Sequence, residues 1–216
     1  MVNDFSREIL YSSLVSLGNY YALDTFLDCN NVGDALKKYE GDWKHYNPRK
    51  PHVQRHGLSL TSLDGGLSGV PDLDSLKEFN HERGTSYGEK DFRQPTPVLL
   101  DNEAIRKPIE KFLPHLGRSH FLRLGTGGYF PFHRDSVYLN ADTFRLISLL
   151  PGCESGQFCF LYDRQRIFLE VGQIYFLNTK VEHALFSFGN AAVLMVLNVI
   201  LSEESVRTVM GSLLAR

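Results

Sequence analysis

The chain has 216 residues, 43% hydrophobic and 22% charged, a balance that excludes a disordered or membrane-embedded polypeptide. Its 23 basic and 25 acidic residues leave a formal charge of -2, so no global field argues for nucleic acid or an anionic membrane as partner. Three cysteines, Cys29, Cys153 and Cys159, are odd in number and lack CxxC spacing, which fits a reducing cytosol better than a disulfide scaffold. The charged start lacks a signal-peptide pattern, and no apolar run approaches the roughly 20 residues of a membrane span. The expectation is a cytoplasmic protein whose residues 1–216 form one domain, with no membrane partner.

In chain order, residues 1–117 read as mixed elements flanking a core. Asp34–Tyr39 looks like a short helix after an Asn-Asn-Val-Gly turn, and Gly57–Leu63 alternates apolar and small polar residues as a half-buried strand does. Leu63–Gln94 is rich in Gly, Asp, Ser, Arg and Pro and reads as a long irregular loop, with 64–94 a candidate lid. A helix is expected within 103–115, with Pro108 in a first-turn position. After Gly117 the rhythm changes to short strands: Phe121–Leu124, Tyr129–His133, Thr143–Leu150, Gln157–Tyr162, Ile167–Glu170, Ile174–Leu177 and Ala192–Leu201. Gly-Thr-Gly-Gly, Pro-Gly-Cys-Glu-Ser-Gly, Asp-Arg-Gln and Val-Gly separate them. Such a series implies a mainly β protein with flanking helices, its core at 118–201 a jelly roll or sandwich. Residues 202–216 close the chain; Ser202–Leu214 reads as a helix with Ser202 as N-cap and two glutamates in its first turn.

Within this frame one pattern carries chemistry. His133–Arg134–Asp135, with His183 far downstream, supplies two imidazoles and a carboxylate, the set that holds one ferrous ion and leaves its opposite face open. Residues two apart on an extended strand share a side, so His133 and Asp135 can face one metal while Arg134 looks away. With eight histidines in the chain, such a pattern also arises by chance, and its surroundings decide.

Those surroundings are the runs FLRLGTGGYFPFHRD (121–135), TFRLISLLPG (143–152) and VGQIYFLN (171–178), the last followed by Glu182–His183. Together, over roughly 118–200, they resemble the catalytic core of iron(II)/2-oxoglutarate-dependent oxygenases, of the aspartyl/asparaginyl β-hydroxylase and small prolyl or amino-acid hydroxylase branch. The resemblance implies a double-stranded β-helix (jelly roll, cupin-like), with iron(II) held by His133, Asp135 and His183. It implies 2-oxoglutarate and dioxygen as co-substrates, and hydroxylation of an amino acid, free or within a peptide or protein, with succinate and CO2 released. Such enzymes commonly carry a cation about ten residues after the second histidine to pair with the distal carboxylate of 2-oxoglutarate. Residues 184–198 contain none.

That carboxylate is therefore expected elsewhere. Arg145 is the first candidate and Arg123 the second, each a guanidinium in an apolar strand that a bidentate carboxylate would satisfy. Substrate contacts are expected from Arg55, Arg118 and His120, near the aromatic and basic stretch 43–50. The competing reading is a non-catalytic cupin-like jelly roll that binds a metal or ligand. A nucleic-acid-modifying enzyme is disfavoured because no basic stripe with interleaved aromatics is present.

Overall fold

The computed structural model describes residues 4–135, 142–151, 156–189 and 191–213. The N-terminal part contains α1 (Asp4–Val15), β1 (Tyr20–Phe26), α2 (Cys29–Lys37), β2 (Lys44–His45), β3 (Arg55–Ser59) and β4 (Thr61–Ser62). It continues through α3 (Leu76–Arg83), β5 (Gln94–Pro95), α4 (Pro97–Leu100) and α5 (Glu103–Arg106). The core follows as β6 (His120–Leu124), β7 (Tyr129–His133), β8 (Thr143–Leu150), β9 (Phe158–Tyr162) and β10 (Gln165–Ile167). It ends with β11 (Gln173–Leu177), β12 (His183–Ser187), β13 (Ala192–Ile200) and α6 (Glu203–Met210).

Two antiparallel sheets carry the architecture. The larger runs β1-β11-β8-β13-β6-β3-β2 and the smaller β10-β9-β12-β7, with β4 and β5 pairing separately. From β6 onward the chain passes repeatedly between these two sheets, which makes the core a double-stranded β-helix, a jelly roll. The first passage, from β6 to β7, is a glycine turn. Gly127 has φ +73, and a Cβ on Gly128 would collide with the carbonyl of Gln54. Pro131 is accommodated because β7 lies at the edge of its sheet.

Period-two alternation divides the larger sheet into two faces. Phe121, Phe144, Leu146, Met195, Leu197 and Val199 point outward into a core shared with residues of α1, α2, α4 and α6. Leu122, Leu124, Ile147, Leu149, Leu194 and Val196 point inward and meet Phe160, Tyr162 and Leu185 of the smaller sheet. Because both faces are covered, β8 and β13 read as nearly continuous apolar runs.

Several expected boundaries move. α2 starts at Cys29, well before Asp34, because the Asp28 side chain accepts the N–H of Asn31 and caps it. The expected helix within 103–115 is α-helical only to Arg106 and continues as a tighter 3-10 segment over Lys107–His115, which contains Pro108 and Pro114. The segment 64–94 is not an unbroken loop: it holds α3 and a 3-10 turn at Glu89–Asp91. The strand expected at Ile167–Glu170 is β10, earlier in the chain, because Asp163 and Arg164 take positive φ and make a tight hairpin after β9. α1, β1 and β12 were not anticipated. α6 follows its expected cap, with the Ser202 side chain accepting from Ser205 N–H; Leu214 and Cys153 lie outside the described residues. Among the described residues no helix is long and apolar enough to cross a membrane.

Candidate metal centre and its cavity

His133 ends β7, His183 begins β12, and the register of these neighbouring strands sets the two residues directly opposite one another. Their rings lie 4.3 Å apart, centroid to centroid. Each Nδ1 lies against a carbonyl two residues back, His133 on Pro131 O at 2.7 Å and His183 on Val181 O at 2.9 Å. A carbonyl only accepts, so each Nδ1 carries a proton, and in the neutral ring Nε2 offers its lone pair to the space between the rings. Asp135 follows two residues after His133, beyond the strand end, and its N–H donates to Thr179 O at 3.1 Å. Its main chain is exposed, while its side chain retains 16% exposure. Asp135 Oδ1 sits 3.2 Å from His133 Nε2, and Oδ2 sits 3.9 Å from His183 Nε2. One ligand atom from each of the three residues falls within 4.8 Å of the others. Two neutral imidazoles and one carboxylate converging from one side make a donor set that suits iron(II) and leaves positions open.

A polar chain leads away from Asp135. Arg145 Nη1 meets Asp135 Oδ2 at 2.6 Å, and Arg145 Nε donates to Asn198 Oδ1 at 3.0 Å. Asn198 Nδ2 donates to Glu89 Oε2 at 2.8 Å, and Glu89 is gripped by Arg118 through bonds of 2.6 and 2.9 Å. Two carboxylates thus alternate with two guanidiniums, so both charges of each sign are compensated. Burial alone would raise the Asp135 carboxyl, but Arg145, with His133 and His183, holds it well below the usual carboxylate range. Burial lowers His183; at His133 the opposing pull of Asp135 outweighs burial and raises the imidazole.

These groups border a cavity of about 380 Å³ between the sheets, walled by Leu122, Ile147, Phe160, Leu185, Leu194 and Val196. This size suits a small ligand. Of the residues singled out from sequence, His133, Asp135, His183, Arg145, Arg55, Arg118 and His120 all face it. Arg123 does not. Its neighbours Leu122 and Leu124 point inward, so strand parity turns Arg123 outward, where it lies 3.9 Å over the Trp43 ring and pairs with Glu40 at 2.6 Å. The expectation that Arg123 contacts a co-substrate is corrected on that ground. Arg145 reaches the cavity, but Asp135 and Asn198 already engage it.

His120 is 3% exposed, its Nδ1 has no partner among the described residues, and burial, helped by Arg118 and Arg145, depresses its pKa far below the ordinary value. Tyr46, Asn47 and Lys50 also line the cavity, all from the stretch noted for its aromatic and basic content. Sequence reasoning missed Glu89, Phe130 and Asn198. The signal for Glu89 was indirect: arginines in apolar strands require carboxylates from somewhere.

No family model matches the chain, and no curated protein matches it. Among solved structures, a salicylate 1,2-dioxygenase from Pseudaminobacter salicylatoxidans is similar at 14% identity over 40% of this chain and 22% of that one, with a TM-score of 0.30. A predicted oxalate decarboxylase from Thermotoga maritima is similar at 13% identity over 43% of this chain and 74% of that one, TM-score 0.32. A conserved protein of unknown function from Streptococcus pyogenes is similar at 18% identity over 39% and 65%, TM-score 0.29. The matched part thus spans about a fifth of the salicylate dioxygenase. The fold assignment rests on the strand order itself.

Proposed function

We propose that this protein is an iron(II)- and 2-oxoglutarate-dependent dioxygenase that hydroxylates an amino acid, free or within a polypeptide. The observation that carries the reading is the convergence of His133 Nε2, His183 Nε2 and the Asp135 carboxylate at the edge of the cavity between the sheets. Bound to these three residues, iron(II) with 2-oxoglutarate and dioxygen supplies the oxidant for hydroxylation, and the co-substrate leaves as succinate and CO2.

The chain's own residues have separable tasks. Pro131 O and Val181 O fix the tautomer and ring orientation of the two histidines. Arg145 orients Asp135 and keeps it ionised, with Asn198 and Glu89 holding Arg145 in turn. The apolar wall from Leu122 to Phe160 keeps water from the reacting carbon. Glu89 ties the 64–94 segment to the cavity through Arg118, which supports that segment as the cover of the substrate side.

Anaerobic protein given iron(II) and then 2-oxoglutarate is expected to develop a weak visible charge-transfer band that His133→Ala removes. Absence of the band in the wild-type protein, at concentrations where iron is bound, would rule the reading out.

A further inference from the structure

Two cations among the described residues are buried, Arg55 and Arg118. Arg118 has Glu89 as a bidentate partner. Arg55 has no partner: at 5% exposure its side chain makes no ion pair and no hydrogen bond among the described residues, and its Nε is fully shielded. Its head lies 4.2 Å over the Phe130 ring and 6.0 Å over Tyr46, a cation–π seat that orients the guanidinium without neutralising it. Burial accordingly lowers its pKa. An uncompensated buried guanidinium is expensive to keep, and here it faces the same cavity as the metal triad. Phe130 links the two features, because the ring under Arg55 also lies 5.8 Å from the ring of His133.

We propose that Arg55 is the carboxylate anchor of this cavity, receiving the far carboxylate of a small 2-oxo dicarboxylate whose 2-oxo acid end faces His133, Asp135 and His183. This inference rests on the proposed function and assigns its co-substrate specificity to one residue. The other cavity guanidiniums are already committed, Arg145 to Asp135 and Arg118 to Glu89, whereas Arg55 has its donors free. A planar fork of donors matches a carboxylate in two bonds, and at a buried guanidinium such a pair is strong. Arg55 stands on β3, outside the 118–201 core, so the anchor enters from the N-terminal extension of the larger sheet.

The test is calorimetric titration, under anaerobic conditions, of the iron(II)-loaded protein with 2-oxoglutarate and with 2-oxopentanoate, which keeps the 2-oxo acid end and lacks the far carboxylate. Wild-type protein is expected to prefer 2-oxoglutarate by at least about 30-fold, in line with a charge-assisted bidentate pair. Arg55→Met should erase that preference, bringing 2-oxoglutarate to the level of 2-oxopentanoate while leaving the latter unchanged. Arg55→Lys, which keeps the charge and loses the fork, should retain part of the preference, and it serves as the test if the Met variant does not fold. Arg123→Met, outside the cavity, should change neither ligand. Undiminished preference for 2-oxoglutarate in a folded Arg55 variant overturns the assignment, as does a defect confined to the hydroxylated substrate. If wild-type protein binds neither 2-oxo acid, the proposed function itself has failed, a result distinct from loss of preference alone.

Discussion

The two faces of the larger sheet are built from the same strands and have opposite character. On the outer face Phe121, Phe144, Met195, Leu197 and Val199 are at most 2% exposed and belong to one continuous apolar core. On the inner face the same strands present His120 and Arg145, and their neighbour β3 presents Arg55, among leucines and valines. The outer face minimises free energy by packing. The inner face keeps buried polar groups that packing alone would never select, including a guanidinium without an ion pair and an imidazole whose Nδ1 has no partner among the described residues. The apolar core lies on one side of the sheet and the candidate site on the other, and substitutions on the two sides should report different quantities.

The largest separation is expected from His183→Ala set against Phe121→Ala. Removing His183 should lower metal affinity by at least about 100-fold, measured by competition with a chelator, with little loss of melting temperature. Phe121→Ala should do the reverse, costing about 3–5 kcal/mol in denaturant unfolding through the cavity left in the outer core. Metal affinity of the folded fraction should be unchanged. If Phe121→Ala weakened metal binding as much as His183→Ala, the two faces would not be independent.

A somewhat smaller effect is expected where the faces communicate. Glu89→Ala removes the carboxylate between Arg118 and Asn198 and leaves Arg118 buried without its partner. It should cost about 3 kcal/mol of stability, and it should also loosen Arg145 and hence Asp135. A double-mutant cycle of Glu89→Ala with Arg118→Met reads the coupling, and additivity would contradict a shared network.

The contrast between the faces also explains what was legible in the sequence. The strands of the larger sheet were visible because both their faces are buried, so β6, β8, β11 and β13 stand out as apolar runs. The triad was visible because of the runs that surround it, although Asp135 is held beyond the strand by Thr179 O and not by strand parity. β12 escaped notice because its first residue, His183, was read only as a ligand and just four residues follow it. Arg145 and Arg123 looked alike in one dimension, each a guanidinium inside an apolar strand. Parity separated them, one to Asp135 and the other to Glu40 and Trp43. Arg55 could be suspected from its neighbours, but its lack of a partner is a property of three dimensions. No local pattern tells a compensated arginine from an uncompensated one.

The smallest effect concerns pH. Burial holds the folded-state pKa of His120 far below its ordinary value, so the folded protein keeps it neutral where the unfolded chain would protonate it. The stability it allows is fully present above the unfolded pKa of about 6.5 and declines as pH falls below it, by up to about 1.4 kcal/mol per pH unit. Urea unfolding between pH 8 and pH 5 should show wild-type stability falling relative to His120→Gln. Parallel curves would mean that His120 does not carry the burden assigned to it.

Calorimetry tests most directly whether the inner face holds a metal-dependent 2-oxoglutarate site. 2-Oxoglutarate should be titrated anaerobically into the same protein with iron(II) and after its removal by a chelator. Saturable binding that appears only with the metal, and disappears in His133→Ala, is the predicted result. Binding that is equal with and without iron(II), or absent in both, would contradict it.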